Sequence, residues 1–427
     1  MTCIYIATNI IYILFGTVFC RAWINPVSIY SIVWAAMVAL YQLKLVYYYD
    51  LTMTTWLIII IFQAAYNVGC IVGKRRYSNK SDVKKQPDST ITGSAGEEKD
   101  LRAVIIILCI LCSISVISNL QIAIRAYGFN LLKYTNHLYA DRLAGDIEPG
   151  IPYFGVCVYP ALIYSGIYYK RFGFRKVVLL PIALLLLGTL KSGGRLGIVM
   201  GTCLLVFSLI FERNRIAMEG DGKPELKKRQ GVNLGMILGI SVCLIMFVII
   251  TKNRSTWIEH NPYMSPLMLQ IVDRNPSTYK NYVYITSPLG VLNEFLKEPT
   301  FCFGGHTFLT LYNFLNKFGA KIPVNQYQTF YYTPLRSNVG TFIRELIEDF
   351  KIPLALVVTS ITGLVFSYNY SRFMKRGSYL NGVWVSTFAF AMLFSFFTWH
   401  FRSSSMWITL FVGSIVGYVM DKRCEAR

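Results

Sequence analysis

Charge is the scarcest commodity in this chain. Only 15% of its 427 residues are Asp, Glu, Lys or Arg, against roughly a quarter in a soluble domain. Acids are fewest, 22 Asp and Glu beside 42 Lys and Arg. With 54% hydrophobic residues and a mean hydropathy of +0.45, the composition fits helices that face lipid and need no polar side. Familiar chemical signatures are missing as well. There is no P-loop, no G-x-S-x-G, no H-E-x-x-H and no paired C-x-x-C, which excludes ATP-driven transport and hydrolysis on those templates. The apolar runs lack the buried Asp and Glu that a proton-coupled transporter usually needs. No repeat of fixed period and no inverted repeat is visible.

Ten cysteines are present, but they build no disulfide framework. Cys20, Cys70, Cys109, Cys112, Cys157, Cys203 and Cys243 sit inside apolar runs, where cysteine acts as a small hydrophobe. The C-x-x-C formed by Cys109 and Cys112 lies in a continuous apolar stretch and reads as packing, not redox or metal chemistry. Only Cys302 falls in the large loop over 252–351.

What is present is a series of apolar runs near 4–20, 28–46, 53–73, 103–124, 154–169, 177–191, 195–211, 232–251, 353–370, 380–398 and 406–420. Several approach the roughly 20 residues needed to cross a bilayer. The expected fold is therefore an all-α polytopic membrane protein with about eleven transmembrane helices. The first run leads straight into further runs and reads as a true helix, not a removed signal. Basic residues set the orientation. With the N-terminus out and the C-terminus in, more than half of the 42 basic residues face the cytoplasm, as the positive-inside rule asks. The net charge of +20 then faces anionic headgroups, not nucleic acid.

This layout divides the chain into 1–251, with eight helices and a cytoplasmic linker over 74–102, a large extracytoplasmic loop over 252–351, and three more helices over 352–427. A second cytoplasmic linker is expected from Glu212 to Gly231. The large loop is dense in aromatics, and loops of that length are seldom structureless unless functional. It is expected to fold as a subdomain of short helices, with Tyr282–Leu296 able to dip into the membrane.

Chemistry is expected at the outer face. Lys191-Ser192-Gly193-Gly194-Arg195 is a tight turn between two runs, placing Arg195 at the outer membrane surface, either snorkelling or gripping a phosphate with its planar fork. The loop adds Lys252, Arg254, Arg274, Arg336 and Arg344. His306, in Phe303-Gly304-Gly305-His306-Thr307-Phe308, is suited to bonding a sugar or moving a proton. Glu345, Glu348 and Asp349 share a helix face at spacings of three and four, as a base or as partners of Arg344 or Lys351. Asp146 and Glu148 form a D-x-E able to hold a divalent ion, though two loop acids are a weak metal signal.

Together, the Gly-Gly-Arg turn, Tyr284-Ile285-Thr286-Ser287-Pro288-Leu289-Gly290-Val291-Leu292-Asn293, Phe303–Phe308, Asn338-Val339-Gly340-Thr341-Phe342 and Glu348-Asp349-Phe350 resemble the Wzy-type oligosaccharide repeat-unit polymerases of bacterial surface polysaccharides. The likeness covers roughly residues 185–370. It implies a GT-C-like membrane fold in the bacterial cytoplasmic (inner) membrane. It implies transfer of a growing glycan from undecaprenyl diphosphate onto a new lipid-linked repeat unit, making O-antigen, capsule or exopolysaccharide. Arg195, Arg254 and Arg336 would bind the diphosphate. His306 or one of Glu345, Glu348 and Asp349 would take the acceptor proton, while Tyr284, Phe308, Tyr331 and Tyr332 would meet sugar faces. No metal or cofactor is expected. The implied partners are the lipid-linked oligosaccharide, membrane lipids and a chain-length regulator. A glycan ligase, or a flippase of lipid-linked sugars, remains an alternative.

Overall fold

The structure, a computed structural model, describes residues 1–81, 94–147, 150–192, 194–219, 234–253, 262–324 and 328–426. The first eight helices are α1 (Thr2–Cys20), α2 (Pro26–Gln42), α3 (Met53–Ser81), α4 (Ala95–Tyr127), α5 (Thr135–Ala144), α6 (Val158–Phe172), α7 (Leu179–Ser192) and α8 (Leu196–Glu219). After them come α9 (Leu234–Asn253), α10 (Pro266–Arg274), α11 (Ser277–Phe295), α12 (Leu309–Lys317), α13 (Phe342–Arg376), α14 (Tyr379–Leu393) and α15 (Ser404–Glu425). One small antiparallel pair, β1 (Tyr331–Tyr332) with β2 (Arg336–Ser337), sets Tyr331 opposite Ser337 and Tyr332 opposite Arg336.

Seven of these helices, α1, α3, α4, α8, α9, α13 and α15, contain a stretch long and apolar enough to cross a membrane, while α2, α7 and α14 are apolar but shorter. The side-chain distribution fits lipid as solvent. In α1 the buried set includes Asn9, whereas Ile4, Ile11, Leu14 and Val18 point outward. The protein is an all-α polytopic membrane protein.

The chain divides into two compact units. The first comprises Met1–Lys84, Trp257–Tyr368 and Ala391–Met406. Its helices α3 and α13 touch backbone to backbone. A Cβ on Gly69 would fall 1.9 Å from the Ser360 carbonyl oxygen, and one on Gly363 would fall 2.3 Å from that of Tyr66. Gly73 approaches Leu364 in the same way. Small residues four apart are how membrane helices achieve such contact without a hydrophobic driving force. The long loop of the sequence is no free appendage. Tyr282 on α11 donates to the Leu40 carbonyl at 2.7 Å, Asn293 accepts from Thr52 and Thr55 at 2.8 Å, and Met264 bridges Val46.

The second unit comprises Lys85–Thr256, Asn369–Phe390 and Trp407–Arg427, and it corrects the expectation that helices lack acids. Arg171, at the end of α6, is buried and bonds Glu97 and Glu212, each at 2.9 Å. Glu212 also receives Arg215 at 3.0 Å, and Tyr379 donates to Glu97. The linkers are accordingly shorter than expected. α3 continues to Ser81, α4 begins at Ala95, and α8 carries Glu212 on to Glu219. Between them, 82–93 and 220–233 lie outside the described residues. Charge runs read as solvated linker because a sequence does not show which charges find partners. Removing one partner from such a buried network costs about 3–5 kcal/mol.

The α3–α13 contact leaves no room for a side chain. Gly69→Leu is expected to destabilise the protein by about 3 kcal/mol, the upper end for overpacking. Size-exclusion profiles and thermal melts in detergent should show aggregation and a lowered midpoint, and an unchanged profile would refute the contact.

Candidate active site

The site grows from a defect in α13. Lys351 adopts φ 58°, ψ 170° inside the helix. Two residues later, Pro353 lacks an N–H and its ring clashes with the carbonyl four residues back, that of Asp349. The freed carbonyls do not go unsatisfied. The Cys302 N–H donates to the Glu348 carbonyl at 2.8 Å, and the Gly304 N–H donates to that of Asp349 at 3.2 Å. Phe303 and Gly304, with φ 45° and 78°, make the left-handed turn this requires. The helix break thus fastens the loop 302–308 across the last turn before it.

Thr341 starts the helix, its hydroxyl accepting from the Arg344 N–H at 3.3 Å. Residues 341–349 are then buried without exception, four charged side chains among them. Arg344 reaches Glu348 Oε1 through Nη2 at 3.1 Å and Nε at 3.3 Å. Glu348 Oε2 lies 2.7 Å from His306 Nε2. Glu345 receives Arg402 Nη1 at 2.5 Å, the Thr398 hydroxyl at 2.8 Å, the Trp399 N–H and the Gln328 side chain. Asp349 accepts the His306 and Thr307 N–H groups at 2.8 and 2.7 Å and the Thr307 hydroxyl at 2.6 Å.

Three carboxylates, Glu345, Glu348 and Asp349, therefore face three cations, His306, Arg344 and Arg402. Burial disfavours the imidazolium, but the nearby Cys302 thiol, the bond to Glu348 and the charge of Glu345 outweigh it, and His306 is pushed up to about 10. Every carboxylate oxygen has a donor. Two cationic donors do not: Arg344 Nη1 and His306 Nδ1 are buried with no hydrogen-bond acceptor among the described residues, Nδ1 standing 3.8 Å from the nearest Glu345 oxygen. Unmet buried donors on charged groups are costly. The cluster is poised to receive an oxygen acceptor or an anion.

All four residues expected to be catalytic, His306, Glu345, Glu348 and Asp349, meet here. Asp349 is the most committed to the fold, since both its oxygens hold the loop. Cys302, His306 and Asp349 offer ligand atoms within 4.8 Å of one another, but the Asp349 oxygens already accept backbone, hydroxyl and Cys302 thiol donors. The trio works as a hydrogen-bonded knot.

The other expected residues fall differently. Arg336 is exposed on β2, its guanidinium 4.2 Å from the Phe330 ring centre. Arg195 is half-buried in the second unit, and Arg254 lies outside the described residues, as do Gly193 and Glu148. Tyr331 packs under the Arg344 guanidinium at 4.8 Å. Tyr332, Phe308 and Tyr284 are exposed, with Phe308 edge-on to Phe350 and Tyr284 beside Phe397. The sequence reading missed Arg402 and Gln328, and it held Arg344 both as one loop cation among several and as a candidate partner of the acids. Arg344 and Glu348 at i, i+4, followed by Lys351-Ile352-Pro353, was the available signal. No protein-family model, curated protein or solved structure matches the chain.

Because the fold holds the imidazolium, its stabilising contribution is whole below the ordinary value of 6.5 and disappears as pH climbs through about 10. Melting temperatures in detergent are expected to fall across that window in the wild type and to fall less in His306→Gln. Equal slopes for the two proteins would contradict the assignment.

Proposed function

We propose that the protein is a membrane glycosyltransferase that polymerises undecaprenyl-diphosphate-linked oligosaccharide repeat units at the outer face of a bacterial cytoplasmic membrane. The observation that carries the reading is the pair of unmet buried donors, Arg344 Nη1 and His306 Nδ1, in a cluster whose carboxylates are already occupied. A departing lipid diphosphate brings the oxygens and negative charge that such donors stabilise, most strongly where water is excluded. His306, as an imidazolium, suits donation to the leaving oxygen. Glu345 or Glu348 takes the acceptor hydroxyl's proton by giving up one of its present donors to it. The exposed rings of Tyr332, Phe308 and Tyr284 offer apolar faces to sugars. The resemblance of residues 185–370 to Wzy-type polymerases points the same way, with the N-terminus out, the C-terminus in and about eleven crossings. Arg336 enters the proposal as a further diphosphate ligand on the strength of the sequence pattern.

Transport of lipid-linked sugar keeps one observation in its favour, the buried acids Glu97 and Glu212. Both are bonded to arginine, which suits a structural clamp better than a moving proton site.

The test is polymerisation by purified protein in proteoliposomes supplied with lipid-linked repeat units. Wild-type protein is expected to build a ladder of longer glycans, and Arg344→Gln to slow it by about a hundredfold or more while its elution profile stays normal. A transporter forms no new glycosidic bond. A ligase leaves long lipid-linked polymer in a deletion strain, where a polymerase leaves single repeats. A full ladder from Arg344→Gln would remove the cluster from the reaction.

A further inference from the structure

α12 is built inside out. Its polar residues turn toward the protein. Thr310 bonds the Ser404 hydroxyl at 3.2 Å and the Arg402 carbonyl at 3.4 Å. Asn316 exchanges two hydrogen bonds with the Ile322 backbone at 2.8 and 2.9 Å, and Tyr312 donates to the Phe303 carbonyl at 3.1 Å. Its apolar residues turn away. Leu311, Phe314 and Leu315 are 50%, 56% and 37% exposed, and Phe318, just past the helix, is 76% exposed. Their spacing of i, i+3, i+4 and i+7 makes one continuous stripe along a helix face. In water such a stripe would be an aggregation surface.

The level of this helix in the bilayer can be read from its attachments. Thr310 is tied to Ser404, the first residue of a candidate span. The loop leading into α12 is tied to the Glu348 and Asp349 carbonyls of α13. In α13 that is where solvation changes: up to Asp349 every residue is buried, and beyond Lys351 the apolar residues Ile352, Leu354, Val357 and Ile361 are exposed. Exposed apolar residues on a membrane-spanning helix face lipid, so the hydrocarbon begins close to Lys351. α12 hangs at that boundary with its apolar stripe outward and Lys317 and Lys321 exposed at its far end, where lysine reaches phosphate headgroups.

We infer that α12 is an interfacial helix whose Leu311–Phe314–Leu315–Phe318 stripe is seated in the headgroup and acyl boundary of the lipid bilayer, holding the His306 loop at the membrane surface. Helices of this character bury their apolar face about 5–10 Å deep. The occupant is phospholipid, and the inference requires only that the chain be embedded in a membrane, so it stands whichever reaction the cluster performs. Its consequence is that the loop carrying His306 opens beside lipid.

Photocrosslinking of the full chain in phosphatidylglycerol–phosphatidylcholine vesicles tests this. The benzophenone amino acid p-benzoylphenylalanine replaces Phe314, Phe318 or, as an inward control, Asn316, and adducts are identified by mass. Intact elution profiles verify that the two outward replacements fold. Phospholipid adducts are expected at 314 and 318, at least several-fold above the level at 316. Adducts to a second copy of the chain at 314 and 318, or lipid labelling there no greater than at 316, would overturn the inference. As a second measurement, iodide, a water-soluble quencher, should reach a fluorophore at 314 less well in vesicles than in urea-denatured protein. Equal quenching in both would also overturn it.

Discussion

A carbonyl that a helix cannot use must be used by something else. Pro353 and the break at Lys351 leave the Glu348 and Asp349 carbonyls without their helical donors, and the chain satisfies them with Cys302 and Gly304. Most of what is distinctive in the first unit follows. The loop is drawn against the last buried turn of α13, so His306 comes to Glu348 and Asp349 can cap the loop's N–H groups. α12 is left at the level where buried protein gives way to lipid-facing helix.

The second constraint is neutrality. Three acids on one buried turn are tolerable only if each is paired. The cations arrive from three places in the sequence: Arg344 from the same helix, His306 from the loop and Arg402 from the short connection before α15. Each carboxylate oxygen is occupied, while two nitrogens of the cations find no acceptor among the described residues. That imbalance distinguishes the cluster from the Arg171–Glu97–Glu212 network of the second unit, where carboxylate and guanidinium groups answer one another. The first has capacity left for a ligand. The second has the character of a clamp between helix ends.

Much of this was legible in the sequence, and the gaps have physical causes. The apolar runs became helices because lipid solvation writes itself into composition. The meeting of Glu345, Glu348 and Asp349 was visible because helical spacing is local. His306 beside them was suggested only by its glycine turn. Arg402 was invisible, since its partner Glu345 is 57 residues away and a single arginine in a short turn carries no pattern. Glu212 was read as linker charge, because no local rule tells a solvated charge from one that finds a distant partner. The apolar stripe of α12 could be marked as amphipathic, but only its hydrogen bonds reveal which face turns outward.

The central claim is that the unmet nitrogens of Arg344 and His306 receive the phosphate oxygens of a lipid carrier. A cryo-electron microscopy map of the protein in nanodiscs with undecaprenyl diphosphate addresses it directly. The account predicts phosphate density within hydrogen-bonding distance of Arg344 Nη1 and His306 Nδ1. A diphosphate resolved elsewhere on the protein, with those two nitrogens untouched, would contradict it.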